Sequence, residues 1–156
     1  MLYVFDTNSL SVLNSYFPDS MASFWDRLDE YVVRGQIISV REVLRELESG
    51  PTSDHLMDWI KRNKAIFLPA TSEEGRRVRE IFTVQHFRQL VAERQRLSGM
   101  PVADPFVIAS AWVKNGSVVT EEKRKDGAAK IPNVCEHFGV RYTNLQGFLK
   151  SEGWKF

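Results

Sequence analysis

An α/β fold, a three-layer sandwich with a central, mainly parallel sheet, is predicted by three features of the 156-residue sequence. Short continuous apolar runs such as Leu2 to Phe5 suit strands covered on both faces. Segments with apolar residues at helical spacing alternate with those runs, the pattern of helices packed on a sheet. The composition, 43% apolar and 26% charged, is that of a soluble globular domain and too apolar for disorder. No repeat, low-complexity tract or linker interrupts the sequence, so residues 1–156 are expected to form one domain.

The first strand, Leu2 to Phe5, stops at Asp6. Phe24, Trp25, Leu28, Tyr31 and Val32 stripe a helix that Gly35 ends, and Ile37 to Val40 follows as a strand. Val43, Leu44 and Leu47 stripe a second helix, closed by Gly50-Pro51, and Leu56, Met57 and Ile60 a third. Ala65 to Leu68 reads as a further strand. From Glu73 to Leu97 the helical period persists with a break near Thr83 to Gln85, and Gly99-Met100-Pro101 ends it. Asp104-Pro105 opens the next helix, because Asp caps well and Pro is tolerated at the first helical position. Val107, Ile108, Ala111 and Trp112 are its apolar stripe. Ser117 to Thr120 reads as a strand, and a polar loop then runs to Lys130. Val134, Cys135 and Phe138 mark a short helix, Val140 to Thr143 a last strand and Leu145 to Lys150 a last helix.

The net charge of +1 hides an asymmetry: residues 1–58 hold 4 basic and 10 acidic side chains, and residues 59–130 hold 14 and 8. No global field steers the protein to nucleic acid or an anionic membrane, so such binding must be local. Cys135 is alone, which excludes an intramolecular disulfide or a multi-cysteine metal site and fits a reducing cytoplasm. The start Met1-Leu2-Tyr3-Val4-Phe5-Asp6 is unlike a signal peptide, and the run Phe106 to Val113 is far below the roughly 20 residues a membrane span needs. A cytoplasmic protein is expected. Glycine-rich nucleotide-binding signatures and a serine elbow are missing, and His55, His86 and His137 have no metal-ligand spacing.

In open parallel sheets, function gathers outside the carboxyl ends of the strands. Asp6-Thr7-Asn8 follows the first strand, Glu42 and Glu46 lie on the helix after the second, and Thr120-Glu121-Glu122 follows Val118-Val119. Asp104 starts the helix leading into that last strand. Two carboxylates about 4 Å apart repel by roughly 4 kcal/mol at an effective dielectric of 20, so such a cluster needs a cation. Mg²⁺ or Mn²⁺ suits carboxylate and water oxygens and leaves room for a substrate phosphate. Each residue also has an ordinary reading. Asp6-Thr7-Asn8 fits a turn or cap, Asp104 a helix cap, Glu42 and Glu46 a solvated helix face, and Glu121 and Glu122 a charged loop.

Taken in order, Asp6-Thr7-Asn8, the stretch Ser39 to Leu47 with Glu46-Leu47, Asp104 before Val107 to Ala111, and Val118-Val119-Thr120-Glu121-Glu122 resemble the PIN-domain nucleases. The resemblance covers about residues 1–150 and is nearest to the VapC-like toxins or a branch beside them. It implies an endoribonuclease dependent on Mg²⁺ or Mn²⁺ that leaves 5′-phosphate and 3′-hydroxyl ends. Asp6, Glu46 and Asp104 match the catalytic, metal-binding acids, and Glu122 matches a fourth position where the family usually has Asp. Glu121 is an alternative to Glu122, and Glu42 to Glu46. Asn8 and Thr120 match polar positions that orient carboxylates or water. Arg76, Arg77, Arg79, Lys123, Arg124 and Lys125, with Lys61, Arg62, Lys64, Arg88, Arg94, Arg96 and Lys130, are candidates for binding RNA phosphates. A toxin would bring a protein antitoxin and a homodimer, for which Phe17, Phe24, Trp25 and Tyr31 offer a docking groove or, equally, core. The competing reading is a PIN-like module that has lost catalysis.

Overall fold

The computed structural model describes residues 1–91 and 102–156. Among them, five strands form one sheet in the order β3-β2-β1-β4-β5: β1 (Tyr3–Phe5), β2 (Ile37–Val40), β3 (Phe67–Leu68), β4 (Ser117–Val119) and β5 (Arg141–Thr143). Every neighbouring pair is parallel. The three central strands are almost wholly buried, which is why their sequences read as unbroken apolar runs. The expected α/β architecture with a parallel sheet is the observed one.

The helices whose full extent lies among the described residues are α1 (Thr7–Ser11), α2 (Ala22–Val33), α3 (Arg41–Ser49), α4 (Asp54–Arg62), α5 (Ser72–Thr83), α6 (Asp104–Lys114), α7 (Ile131–Phe138) and α8 (Leu145–Ser151). The expected break after Thr83 is present, with a 3₁₀ turn at Gln85–Arg88 beyond it. Leu97, Gly99, Met100 and Pro101, expected to finish that region, lie outside the described residues. One element differs from expectation. The strand expected from Ala65 shrinks to Phe67–Leu68 because Lys64–Ile66 coil into a 3₁₀ turn. Of the turn and cap readings of Asp6-Thr7-Asn8, the cap is observed: Asp6 caps the short helix α1.

Gly116 shows how tightly the base of β4 is fitted. After α6, Asn115 turns left-handed (φ 55°), and a Cβ on Gly116 would lie 2.8 Å from the backbone oxygen of Leu2. Only glycine lets β4 pair with β1 there, where the Ser117 N–H donates to Leu2 O over 2.9 Å.

Phe148 of α8 is fully buried and meets Tyr3, Phe5, Tyr31 and Trp154 with ring centroids 4.7, 5.4, 6.0 and 5.1 Å away. Glu152 reinforces this contact by accepting hydrogen bonds from the hydroxyls of Tyr3 (2.6 Å) and Tyr31 (2.9 Å). Phe24, Trp25 and Tyr31 therefore belong to the core, and of the aromatic residues offered for a docking groove Phe17 alone is exposed, at 59%. Cys135 is buried among apolar side chains, and burial pushes its thiol far above the usual range. Among the described residues no helix is long and apolar enough to cross a membrane.

Candidate active site at the carboxyl end of the sheet

Strand register brings the first two polar residues together. Phe5 pairs with Val119, so Asp6 and Thr120 follow side by side at the carboxyl ends of β1 and β4, with the Asp6 N–H donating to Val119 O over 3.0 Å. The Asp6 carboxylate is 2% exposed, and its Oδ1 accepts the Ser9 N–H at 2.8 Å. Burial drives the Asp6 pKa up to about 6; hydrogen bonds from Thr120 and Ser9 pull it down in part, and the charge of Glu122 raises it further. The Thr120 Oγ1 accepts the Glu122 N–H over 3.1 Å, so its own proton is available to Asp6.

Glu46 joins α3 to both flanking segments. Its Oε1 accepts the Thr7 hydroxyl at 2.6 Å and its Oε2 accepts the Ala103 N–H at 3.4 Å, which sets it between the neighbours in sequence of Asp6 and Asp104. Asp104 is buried, and it is the first residue of α6 rather than its cap: Ala103 holds the cap position, with its carbonyl accepting the Phe106 and Val107 N–H groups. Asp104 and Glu122 line one cleft of about 310 Å³ with Gln89, Leu90, Ala128, Ala129 and Lys130. Asp6, Glu46, Asp104 and Glu122 are thus gathered at one end of the sheet.

Glu121 and Glu122, alternatives in the sequence, reach different helix starts. Glu121 turns the other way, its Oε1 accepting the Leu145 N–H at the start of α8 (2.8 Å). Glu122 faces the cleft, and its Oε2 accepts the Ile131 N–H at the start of α7 (2.9 Å). That second contact accounts for a glutamate where the resembling family usually has aspartate, because the longer arm spans from the end of β4 to α7. Glu122→Asp is therefore expected to lower stability by about 1–2 kcal/mol despite keeping the charge, whereas Glu122→Gln retains the acceptor; chemical denaturation of both variants checks this. Glu42 is 2% exposed, with Oε1 lacking a hydrogen-bond partner among the described residues and Oε2 3.7 Å from Arg41 Nε. It shares the helix face of Glu46 one turn earlier.

Other candidate residues fall elsewhere. Asn8 is exposed on α1, and the contacts next to Asp6 and Glu46 come from Ser9 and Thr7 instead. Sequence reading missed both; the signal available was the cap pattern of Asp6 with Ser9 three residues on. Arg77 lies over the Trp112 ring, 4.4 Å from its centroid, and pairs with Glu80 at 2.8 Å. Trp112 is eight positions after Asp104 on α6, roughly 12 Å along the helix axis, so Arg77 sits away from the acids. Arg76 and Arg79 are exposed on the same helix, α5. Arg124 is bound to Asp126 and, at 2.7 Å, to Glu136, while Lys123 and Lys125 are exposed. Arg94 and Arg96 lie outside the described residues.

Whether these residues suit a hard cation is decided by their placement. Among the described residues no three His, Cys, Asp or Glu side chains converge closely enough to enclose an ion. The arrangement instead offers carboxylates in pairs, Asp104 with Glu122 across the cleft and Asp6 within the field of Glu122. Mg²⁺ is commonly held by one or two carboxylates while keeping several waters, so the donor set fits a hydrated hard ion.

A parallel sheet ordered β3-β2-β1-β4-β5 with acids at the carboxyl ends of its central strands defines a PIN-like α/β protein. The solved structure of VapBC2 from Rickettsia felis bound to a DNA fragment from their promoter has this fold. It aligns with a TM-score of 0.52 and 15% identity over 92% of this chain and 98% of that one. Residues 3–156 match the family described as Domain of unknown function (DUF4411), and the chain belongs to that family. No curated protein matches it.

Proposed function

We propose that the chain is a single PIN-like domain that hydrolyses RNA phosphodiester bonds with Mg²⁺ or Mn²⁺, as the toxin of a cytoplasmic toxin–antitoxin pair. The observation that carries this reading is Asp6, a buried carboxylate at the carboxyl end of β1 that Ser9 holds in place, with its pKa raised to about 6 by burial and by the charge of Glu122. A hydrated ion would be held through its waters and by a carboxylate pair drawn from Asp6, Asp104 and Glu122, with Glu46 beside them. When bound, such an ion neutralises charge on the phosphoryl oxygens and activates water. Thr120 and Ser9 fix the Asp6 carboxylate, Thr7 fixes Glu46, and the α7 N-terminus fixes Glu122, so the acids are oriented before substrate binds. The likeness to VapBC2 supports a protein antitoxin as partner, and a homodimer is proposed with it.

A second reading, a PIN-like module without catalysis, is favoured by the lack of three converging acids among the described residues. Mn²⁺ titration separates the two. At a concentration 100 times the Kd, binding to the native state should stabilise the protein by about 2.7 kcal/mol, and the same Mn²⁺ should support cleavage of single-stranded RNA. A melting temperature indifferent to Mn²⁺, with RNA left intact, would establish the inert module.

A further inference from the structure

Between β4 and α7, residues 121–130 form neither helix nor strand. Ordering irregular chain costs conformational entropy, so a loop held in one shape needs contacts that hold it. Here they come from side chains of α7. The Asn133 amide grips both main-chain groups of Lys125: its Nδ2 donates to Lys125 O at 2.7 Å, and its Oδ1 accepts the Lys125 N–H at 3.4 Å. Glu136 takes the preceding loop residue. Its Oε2 accepts Arg124 Nε at 2.7 Å, while its Oε1 accepts the Tyr142 hydroxyl of β5 at 2.8 Å. Positions 133 and 136 are three apart and share a face of α7, so that face fixes two successive loop residues.

The loop held in this way carries part of the acid site. At its near end the Glu122 N–H donates to Thr120 Oγ1 at 3.1 Å, and the Glu122 Oε2 accepts the Ile131 N–H at 2.9 Å, which closes the loop on itself. The charge of Glu122 reaches Asp6 and raises its pKa. At the far end, Ala128, Ala129 and Lys130 belong to the cleft that Asp104 and Glu122 also line. Of the two α7 contacts the Asn133 amide is the firmer. Arg124 and Glu136 are both about half exposed, and an ion pair so placed is weakened by solvent and salt, whereas a neutral amide on main-chain groups is not screened.

We propose that Asn133 is a positioning residue for ion binding: by gripping Lys125 it holds the 121–130 loop against α7 and keeps Glu122 among the acids at the carboxyl end of the sheet. The proposal rests on the reading of those acids as an ion site and is independent of what the ion then cleaves. Asn133 acts through the loop main chain, and Glu136 assists through Arg124.

Two measurements on the whole chain test this: Mn²⁺ affinity by calorimetric titration, and the rate at which trypsin cuts after Lys123, Arg124 and Lys125. Asn133→Ala should bind Mn²⁺ about tenfold more weakly, the lower end of what losing a residue behind the metal ligands causes. Its loop should be cut about tenfold faster, because it opens more often. The metal-free melting temperature should fall by no more than about 4 °C. A larger fall would mark Asn133 as a general stabiliser and overturn the assignment. Either of the two readouts equal to wild type would also overturn it, and with wild type binding Mn²⁺ that result leaves the ion site in place. Wild-type protein that binds no Mn²⁺ removes the ion site itself and the role of Asn133 with it. Wild type whose Mn²⁺ affinity depends on Asn133 but which cuts no RNA removes the nuclease and keeps the positioning residue.

Discussion

Asp6→Asn is expected to make the metal-free protein more stable while removing its activity. The native pKa of Asp6 is raised from 3.8 to about 6, so its ionisation is harder in the folded chain than in the unfolded one. Stability linked to Asp6 is therefore fully present below pH 3.8 and is lost as pH rises through about 6. A shift of about two pH units corresponds to roughly 3 kcal/mol, which sets an upper limit on what the substitution recovers at neutral pH. Asn keeps an oxygen for the Ser9 N–H and is as good a helix cap as Asp, so the gain should be about 1–3 kcal/mol. At pH 4 the gain should vanish, and denaturant melts at both pH values check the sign. Mn²⁺ should no longer stabilise the variant, and RNA cleavage should fall at least about a hundredfold. A site that costs stability in isolation and recovers it on binding is the usual signature of function held against folding.

Phe148→Ala is expected to cause the largest loss of stability. The ring is fully buried and makes edge contacts with Tyr3 and Phe5 of β1, Tyr31 of α2 and Trp154 near the carboxyl end. Its removal takes away apolar burial and leaves a cavity between elements far apart in sequence, a cost of about 3–5 kcal/mol. Against a total of roughly 5–15 kcal/mol, that is a large share. The midpoint of a urea transition should fall accordingly with little change in slope, and the melting temperature should drop by about 6–20 °C. Because β1 carries Asp6 at its end, RNA cleavage should decline with the folded fraction.

The parts of this molecule legible in its sequence are those governed by local pattern. The apolar run ending at Asp6, the stripe Val43-Leu44-Leu47 and the Pro105 helix start each report their own element, and those elements form as the pattern requires. The gathering of Asp6, Glu46, Asp104 and Glu122 followed from strand ends in a parallel sheet, a rule of topology that sequence order carries. Long-range pairing was not legible. Nothing near Arg124 in sequence announces Glu136, nothing near Arg77 announces Trp112, and the choice between Glu121 and Glu122 depends on which helix start each one reaches. The α1 helix escaped notice because five residues are too few to show a period. Phe24 and Tyr31 are covered by α8 and Trp154 returning from far along the chain, and Trp25 by His55 and Trp59 of α4.

The central claim is that the acids at the carboxyl end of the sheet cut RNA. Its most direct test compares purified wild type with the Asp6→Asn, Asp104→Asn double variant on a broad panel of single-stranded RNAs in Mn²⁺. Wild-type cleavage leaving 5′-phosphate ends, with the double variant folded and inactive, is the predicted result. Equal rates from the two proteins, or an inactive wild type on every RNA, would contradict it.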